Sequence, residues 1–483
     1  MTTDLQWLDA TAQAALVRAG EMSPTELVAA ALDRIDALNP ALNAVIHHRA
    51  ERARDEAAGD LPDGPFRGVP LLVKDLVLRS EGDPYHCGCR ALRAADHRSD
   101  HDSTLMRRFR QAGFVLVGRT NVPENGSTIT TEPLAYGPCR NPWDLDHSTG
   151  GSSGGSGAAV AAGLTPVAHG NDGGGSIRIP ASECGIVGLK PSRGRTSLGP
   201  DVGESWLGGV VEGVLSRSVR DTAAVLDAVA GYEPGDPYSA PRPQRPWIDE
   251  VGAPPGQLRV GLLDHPLMPG VGADAECCAA VERAGRLLES LGHHVEVGHP
   301  AALEDLEFQG PFLSVVATAN TADFDEWERW LGRPLGEGDL EPGNLLLREI
   351  GRSVSASQYL ASVSWLHGFT RRMESWWQPD GFDVLVTPVL AGPPPPIGWL
   401  ADPEHDMERV LALMQYTSQF NMSGQPAISL PLQWSSAGLP LGVQFVASYG
   451  REDLLIRLAS QLEQAQPWAQ RRPPITGQPG QPG

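Results

Sequence analysis

From residue 69 onward the chain alternates short apolar, β-branched runs with stretches of helical period. That alternation restricts it to an α/β fold built around a mixed sheet. The sequence predicts strands at 69–72, 114–118, 258–263, 294–297, 384–387, 427–430 and 443–447. Helices are predicted at 103–111, 156–162, 221–229, 274–291 and 454–464. Residues 4–60 read as helices. Ser23 is placed to cap, Pro24 fits a first turn, and Glu26 closes a capping box. Leu27, Val28, Ala31, Leu32 and Ile35 follow at helical spacing, and Asn39-Pro40 is the expected end of that helix. Segment 301–380 also reads as helical and holds Trp327, Trp330, Trp365, Trp376 and Trp377. These serve either as ordinary core or as a lid or pocket wall. The four prolines 393–396 predict a stiff surface loop, and 471–483 a frayed tail. No shift in composition divides the 483 residues. The expected organisation is one domain over 1–483, with an N-terminal helical layer (1–60) and an α/β core (61–300 and 381–470).

Composition narrows the function. A hydrophobic fraction of 41% supports a large core. With 38 basic and 59 acidic residues the formal charge is −21, which argues against a nucleic-acid partner. Six cysteines are too few for a disulfide framework. Cys87-Gly88-Cys89 is half of a metal site with no second Cys/His pair at matching spacing, so neither a metal nor another cofactor is expected. The first residues lack a basic start and an apolar core, and no run of 18 apolar residues occurs. The expectation is a cytoplasmic protein with no membrane partner.

Three short segments carry the chemistry. Lys74 closes the apolar run Leu71-Leu72-Val73-Lys74, where a cation is disfavoured and the pKa should fall. Two glycine-serine clusters follow, at 150–157 and 173–176. Together they offer a base, a bridge and a nucleophile, since serine attacks poorly until its proton is removed. Neither cluster ends in the Gly-Lys-Ser/Thr of a phosphate loop or matches a dinucleotide fingerprint. Gly151-Ser152-Ser153-Gly154-Gly155 fits Gly-x-Ser-x-Gly, but the downstream histidines, His367 and His405, sit in no recognisable triad loop. Taken singly, Lys74 reads as a strand-edge residue and Ser176 as a helix cap.

The segments in combination resemble the amidase signature family. The likeness rests on Lys74, the 150–155 cluster and Gly174-Gly175-Ser176-Ile177-Arg178-Ile179-Pro180-Ala181. It also takes in Asn141-Pro142-Trp143, Gly188-Leu189-Lys190-Pro191-Ser192-Arg193-Gly194-Arg195 and the late motif from Phe420 to Pro431. It covers almost the whole chain. Thr131-Glu132-Pro133, residues 167–172 and Gly450-Arg451-Glu452-Asp453-Leu454-Leu455 carry a closer likeness to members that hydrolyse cyclic amide dimers.

The resemblance implies a central mixed sheet covered by helices on both faces. It implies amide hydrolysis through an acyl-enzyme, with Ser176 as nucleophile, Ser152 as a bridging serine after a cis peptide, and Lys74 as base. Gly173, Gly174 and Gly175 would supply oxyanion donors along with the Ser176 N–H. Ser153 would be structural, donating to Lys74, while Asp172 and Arg178 would support the loop. Ser127 would border the pocket, and His169 would be packed instead of catalytic. Gly173 departs from the family, where a side chain is common, and would loosen the loop or widen the pocket. The implied partner is a small-molecule amide. Members are often dimers, and no segment marks an interface. A subunit of an amidotransferase complex, a carbamate or ester hydrolase, and a catalytically dead binding scaffold are the competing readings.

Overall fold

The structure is a computed structural model and describes residues 5–378, 381–401 and 406–476. Its strands are β1 (Val45–His48), β2 (Pro70–Lys74), β3 (Val115–Thr120), β4 (Val167–Asp172), β5 (Val187–Lys190), β6 (Val211–Ser216), β7 (Arg259–Leu262), β8 (His294–Val297), β9 (Val384–Pro388), β10 (Ala427–Trp434) and β11 (Pro440–Ala447). They form one eleven-stranded mixed sheet in the order β1-β3-β2-β4-β6-β5-β10-β11-β9-β7-β8.

The period of two within each strand sends side chains to two separate cores. Leu72, Val115, Val117 and Ala168 pack with Ala158–Ala161 of the helix Gly154–Ala161. Their neighbours Leu71, Val73, Leu116 and Val167 pack on the other face with Leu105, Met106 and Phe109 of the helix Thr104–Gln111. Further along, Val384 and Val386 join one core and Leu385 the opposite one. Burial on both faces explains why β2, β3 and β9 read as continuous apolar runs.

All seven predicted strands and all five predicted helices are present, with ends moved by a few residues. The strands not anticipated are β1, β4, β5 and β6. The last three mix Gly, Asn, Asp, Glu and Lys into buried positions, which hides any apolar pattern. β1 interrupts the region read as wholly helical. The capping box of Ser23 and Glu26 is formed, but the helix runs on through Pro40 to Leu42. Only the last turn loses a bond there. The chain is then turned by Asn43 at φ +51°, while the Asn39 side chain accepts from the N–H of Ala44 and Val45.

The proline run is not a surface loop: Pro394 and Pro395 are buried, and the Pro395 carbonyl accepts the Ser148 N–H at 2.8 Å. Of the expected frayed tail, residues 471–476 pack on the body. Arg471 lies 4.1 Å from the Trp434 ring centre, and a short turn spans Pro474–Thr476. Residues 477–483 lie outside the described residues.

Candidate active site

Lys74 is the last residue of β2, two residues after Leu72, so its side chain leaves the sheet on the face covered by the helix Gly154–Ala161. Its Nζ lies 2.7 Å from Ser152 Oγ and 2.5 Å from Asn171 Oδ1, and the residue is fully buried. Burial drives the Lys74 pKa down to about 7, although the Asp172 and Glu212 carboxylates pull the other way. Lys74 is thus near its switching point at neutral pH, with a hydroxyl already in contact.

Ser152 follows a cis Gly151–Ser152 peptide at the foot of that helix. The backbone is crowded there. A Cβ on Gly151 would stand 2.7 Å from the Thr130 carbonyl, and one on Gly126 would stand 3.0 Å from Ser152 Oγ. Ser153 Oγ donates to the Asn171 carbonyl at 3.2 Å, so it braces β4 and does not serve Lys74 as expected.

Ser176 stands in the loop between β4 and the helix Arg178–Cys184. Asp172 organises this loop: it accepts the N–H of Gly175 at 2.7 Å and of Ile177 at 3.1 Å, and pairs with Arg178 at 2.9 Å. Burial works to raise the Asp172 carboxyl, but Arg178 and the other donors outweigh it and hold the group well below the usual carboxylate range. Arg178 also reaches the Thr417 carbonyl, Gln444 Oε1 and Asn421 Oδ1. Thr417 Oγ1 donates to the Gly174 carbonyl at 2.6 Å. Gly175 must be glycine: its φ is +134°, and a Cβ would sit 2.6 Å from Thr417 Oγ1.

The Gly175 N–H is therefore engaged by Asp172. The N–H groups of Gly173, Gly174 and Ser176 have no partner among the described residues. Gly173 does not widen the pocket. Trp206 fills the space above it, and a Cβ there would meet the ring at 2.9 Å.

Ser152, Ser176, Gly173 and Asn171 line one cavity of about 110 Å³, open at its mouth. Its apolar side is built by Trp206, Trp327 and Trp330. The tryptophans of 301–380 thus divide: Trp327 and Trp330 form cavity wall, while Trp365, Trp376 and Trp377 pack around a separate core with Phe308 and Phe369. Ser127 is not among the residues that line the cavity: its hydroxyl donates to the Glu124 carbonyl at 2.9 Å, and its neighbours Asn125 and Gly126 line the cavity instead. His169 is fully buried. It accepts the Lys74 N–H at Nδ1 (3.3 Å), and its Nε2 meets Glu212 at 3.1 Å. All six cysteines are unpaired, and burial pushes the Cys89 thiol up to about 12.

Asn171 escaped the sequence reading, as did the wall formed by Asn125, Asn320 and Asp323. A signal existed for Asn171. The parallel register of β2 and β4 pairs Leu72 with Ala168, which brings Lys74 level with the end of β4. It required β4 to be recognised as a strand.

The amidase family model matches residues 26–456. This chain therefore belongs to the amidase signature family, the fold and sequence of hydrolases that act on carbon–nitrogen bonds. It is 46% identical to the 6-aminohexanoate-cyclic-dimer hydrolases of Pseudomonas sp. (strain NK87) and Paenarthrobacter ureafaciens, over 97% of this chain and 97% of each relative. The solved structure of a 6-aminohexanoate cyclic dimer hydrolase complexed with substrate superposes with a TM-score of 0.95. It shares 46% identity, and the match covers 98% of this chain and 100% of that one. Among the described residues, no helix is long and apolar enough to cross a membrane.

Proposed function

We propose that the protein is a serine amidase that hydrolyses small oligoamides of the 6-aminohexanoate type, cyclic or linear, through Ser176, Ser152 and Lys74. The observation that carries this reading is the buried contact of 2.7 Å between Lys74 and Ser152 at the wall of a cavity that Ser176 also lines.

Neutral Lys74 takes a proton from Ser152, which takes one from Ser176 as Ser176 Oγ attacks the amide carbonyl. The N–H groups of Gly173, Gly174 and Ser176 are free to meet the developing oxyanion. Fixed donors of this kind contribute about 3–4 kcal/mol each in comparable sites. The proton returns through Ser152 to the leaving nitrogen, the amine departs, and water cleaves the acyl-enzyme by the same relay. The tryptophan wall suits the methylene chains of such substrates. The substrate class comes from the relatives at 46% identity.

The test is hydrolysis of a panel by wild type and Ser176→Ala. The panel holds cyclic and linear 6-aminohexanoate dimers, an anilide, an ester, a carbamate and glutamine. Amide hydrolysis lost on substitution supports the mechanism, and preference for the dimers supports the substrate. Amide turnover that survives Ser176→Ala would overturn the nucleophile.

A further inference from the structure

Two imidazoles and a carboxylate converge at the outer end of the sheet. β7 and β8 run parallel, with Leu262 paired to Val297, and β8 is the last strand in the sheet order. The chain therefore leaves both strands at the same edge. His265 comes shortly after β7, His299 shortly after β8, and Glu304 closes the turn Ala301–Glu304. Glu304 Oε1 stands 3.1 Å from His299 Nε2 and 3.7 Å from His265 Nε2. The ring centres are 5.1 Å apart. None of the three residues lines the catalytic cavity.

Two acceptors face each other in this cluster. The Asp264 carboxylate lies 3.3 Å from His265 Nδ1, so in a neutral ring the proton sits on Nδ1 and Nε2 presents a lone pair. That lone pair points to Glu304 Oε1, at a separation too long for a hydrogen bond. A cation between them would satisfy both. The ligand atoms of all three residues lie within 4.8 Å of one another. Ligands about 2.0–2.1 Å from a tetrahedral metal stand about 3.3 Å apart. The two separations to Glu304 bracket that value. Asp264 also fixes the His265 ring as a carboxylate does behind a metal-bound histidine. His299 Nδ1 is buried, and Nε2 is the nitrogen that this ring offers to the cluster.

We propose that His265 Nε2, His299 Nε2 and a Glu304 carboxylate oxygen bind a late first-row divalent cation, zinc above all, with water completing its shell. Two imidazoles and one carboxylate suit zinc and its neighbours, whereas magnesium and calcium prefer sets made only of oxygen. His299 then carries its ring proton on Nδ1, and the metal takes the place of the Glu304–His299 hydrogen bond. The cation acts as a structural clip. It ties the ends of the two outer strands to the segment that leads into the helix Gln309–Leu331, and no step of amide hydrolysis passes through it. The proposal is independent of the substrate reading above.

The test uses full-length, untagged protein in two arms. In the first, chelator-stripped protein is titrated with zinc chloride by calorimetry. Wild type should bind one equivalent with Kd below about 10 µM, and His265→Gln, His299→Gln and Glu304→Gln should each weaken binding about tenfold or more. Excess magnesium should not compete. In the second arm, hydrogen exchange is compared with and without zinc. Wild type should gain protection at 263–266 and 297–305, and the variants should not. Binding weaker than about 100 µM overturns the site. So does a loss smaller than tenfold in any folded variant, which would place the zinc elsewhere. Competition by magnesium, or protection confined to other segments, overturns it as well. Melting curves identify a variant that fails to fold, and the remaining variants then decide.

Discussion

Asn171→Asp is the substitution that most directly tests whether Lys74 works as a neutral base. Asn171 Oδ1 lies 2.5 Å from Lys74 Nζ, and Asn171 Nδ2 donates to the Leu76 carbonyl at 3.0 Å. Burial sets the Lys74 pKa at about 7, so at pH 8 about nine-tenths of the enzyme carries the neutral amine. Aspartate at 171 places an anion where a neutral acceptor stands. An opposite charge at such a distance stabilises the ammonium and raises its pKa by about 1–3 units. A rise of about two units cuts the neutral fraction at pH 8 about tenfold and leaves it almost unchanged at pH 10 or above. The sign follows from the role: the base acts deprotonated, so a carboxylate that favours the charged form costs activity only below the new pKa. The assay is kcat/KM for an amide from pH 6 to 10.5. Wild type should rise through an inflection near 7. Asn171→Asp should show the same limb moved up by about two units, with the plateau largely regained at high pH. Asn171→Leu serves as control, since it removes the hydrogen bonds without adding charge and should not move the limb upward. An Asn171→Asp profile that falls by one factor at every pH, with its inflection in place, would refute the idea that Lys74 deprotonation controls the limb.

Other outcomes follow from the same geometry. Ser152→Ala removes the hydroxyl bound to Lys74 and should lower kcat by about 10²–10⁴ with little change in KM, measured on the same amide. Gly173→Val drives a side chain into Trp206 and Val210, whose atoms lie 2.9–3.0 Å from the added Cβ. It should cost at least about tenfold in kcat/KM, and Trp206→Ala in the same chain should recover part of that loss. Arg178→Met leaves the Asp172 carboxylate buried without its cation. Urea unfolding should register a loss of about 3–5 kcal/mol, and a loss below about 1 kcal/mol would show that the pair does not hold the loop.

How much of this was legible in the sequence depended on whether a signal was local. Lys74, Ser152, Ser153, Asp172, Ser176 and Arg178 stood out because each lies in a short motif of unusual composition. Six of the seven recognised strands had apolar runs long enough to read alone, and β8 showed a polar–apolar alternation. β4, β5 and β6 did not, because buried Asn171, Asp172, Lys190 and Glu212 break their pattern, and a buried polar residue is intelligible only beside its partner. The same limit applies to Ser153, whose acceptor on β4 depends on strand order, and to Gly173. Its lack of a side chain reads as spare room until Trp206 is seen to occupy the space. The polar wall of Asn125, Asn320 and Asp323 joins segments nearly two hundred residues apart, and no local pattern marks it.

Strand order also explains why the serine loop is rigid although it is made largely of glycine. A glycine-rich segment left to itself loses much entropy when fixed in one conformation. Here the cross-bracing comes from Arg178, which binds Asp172 within the loop and Thr417, Asn421 and Gln444 from the far end of the chain. β10 lies beside β5 at the middle of the sheet, with β11 on its other side, so the C-terminal segments are delivered to the loop by the sheet itself. Asn421 Nδ2 closes the circuit by donating to both the carbonyl and the carboxylate of Asp172. The N–H groups of Gly173 and Gly174 are left without a partner among the described residues, and the buried Arg178 network braces the loop that carries them. Preorganised donors require both conditions at once, and residues separated by 239 to 266 positions supply the second.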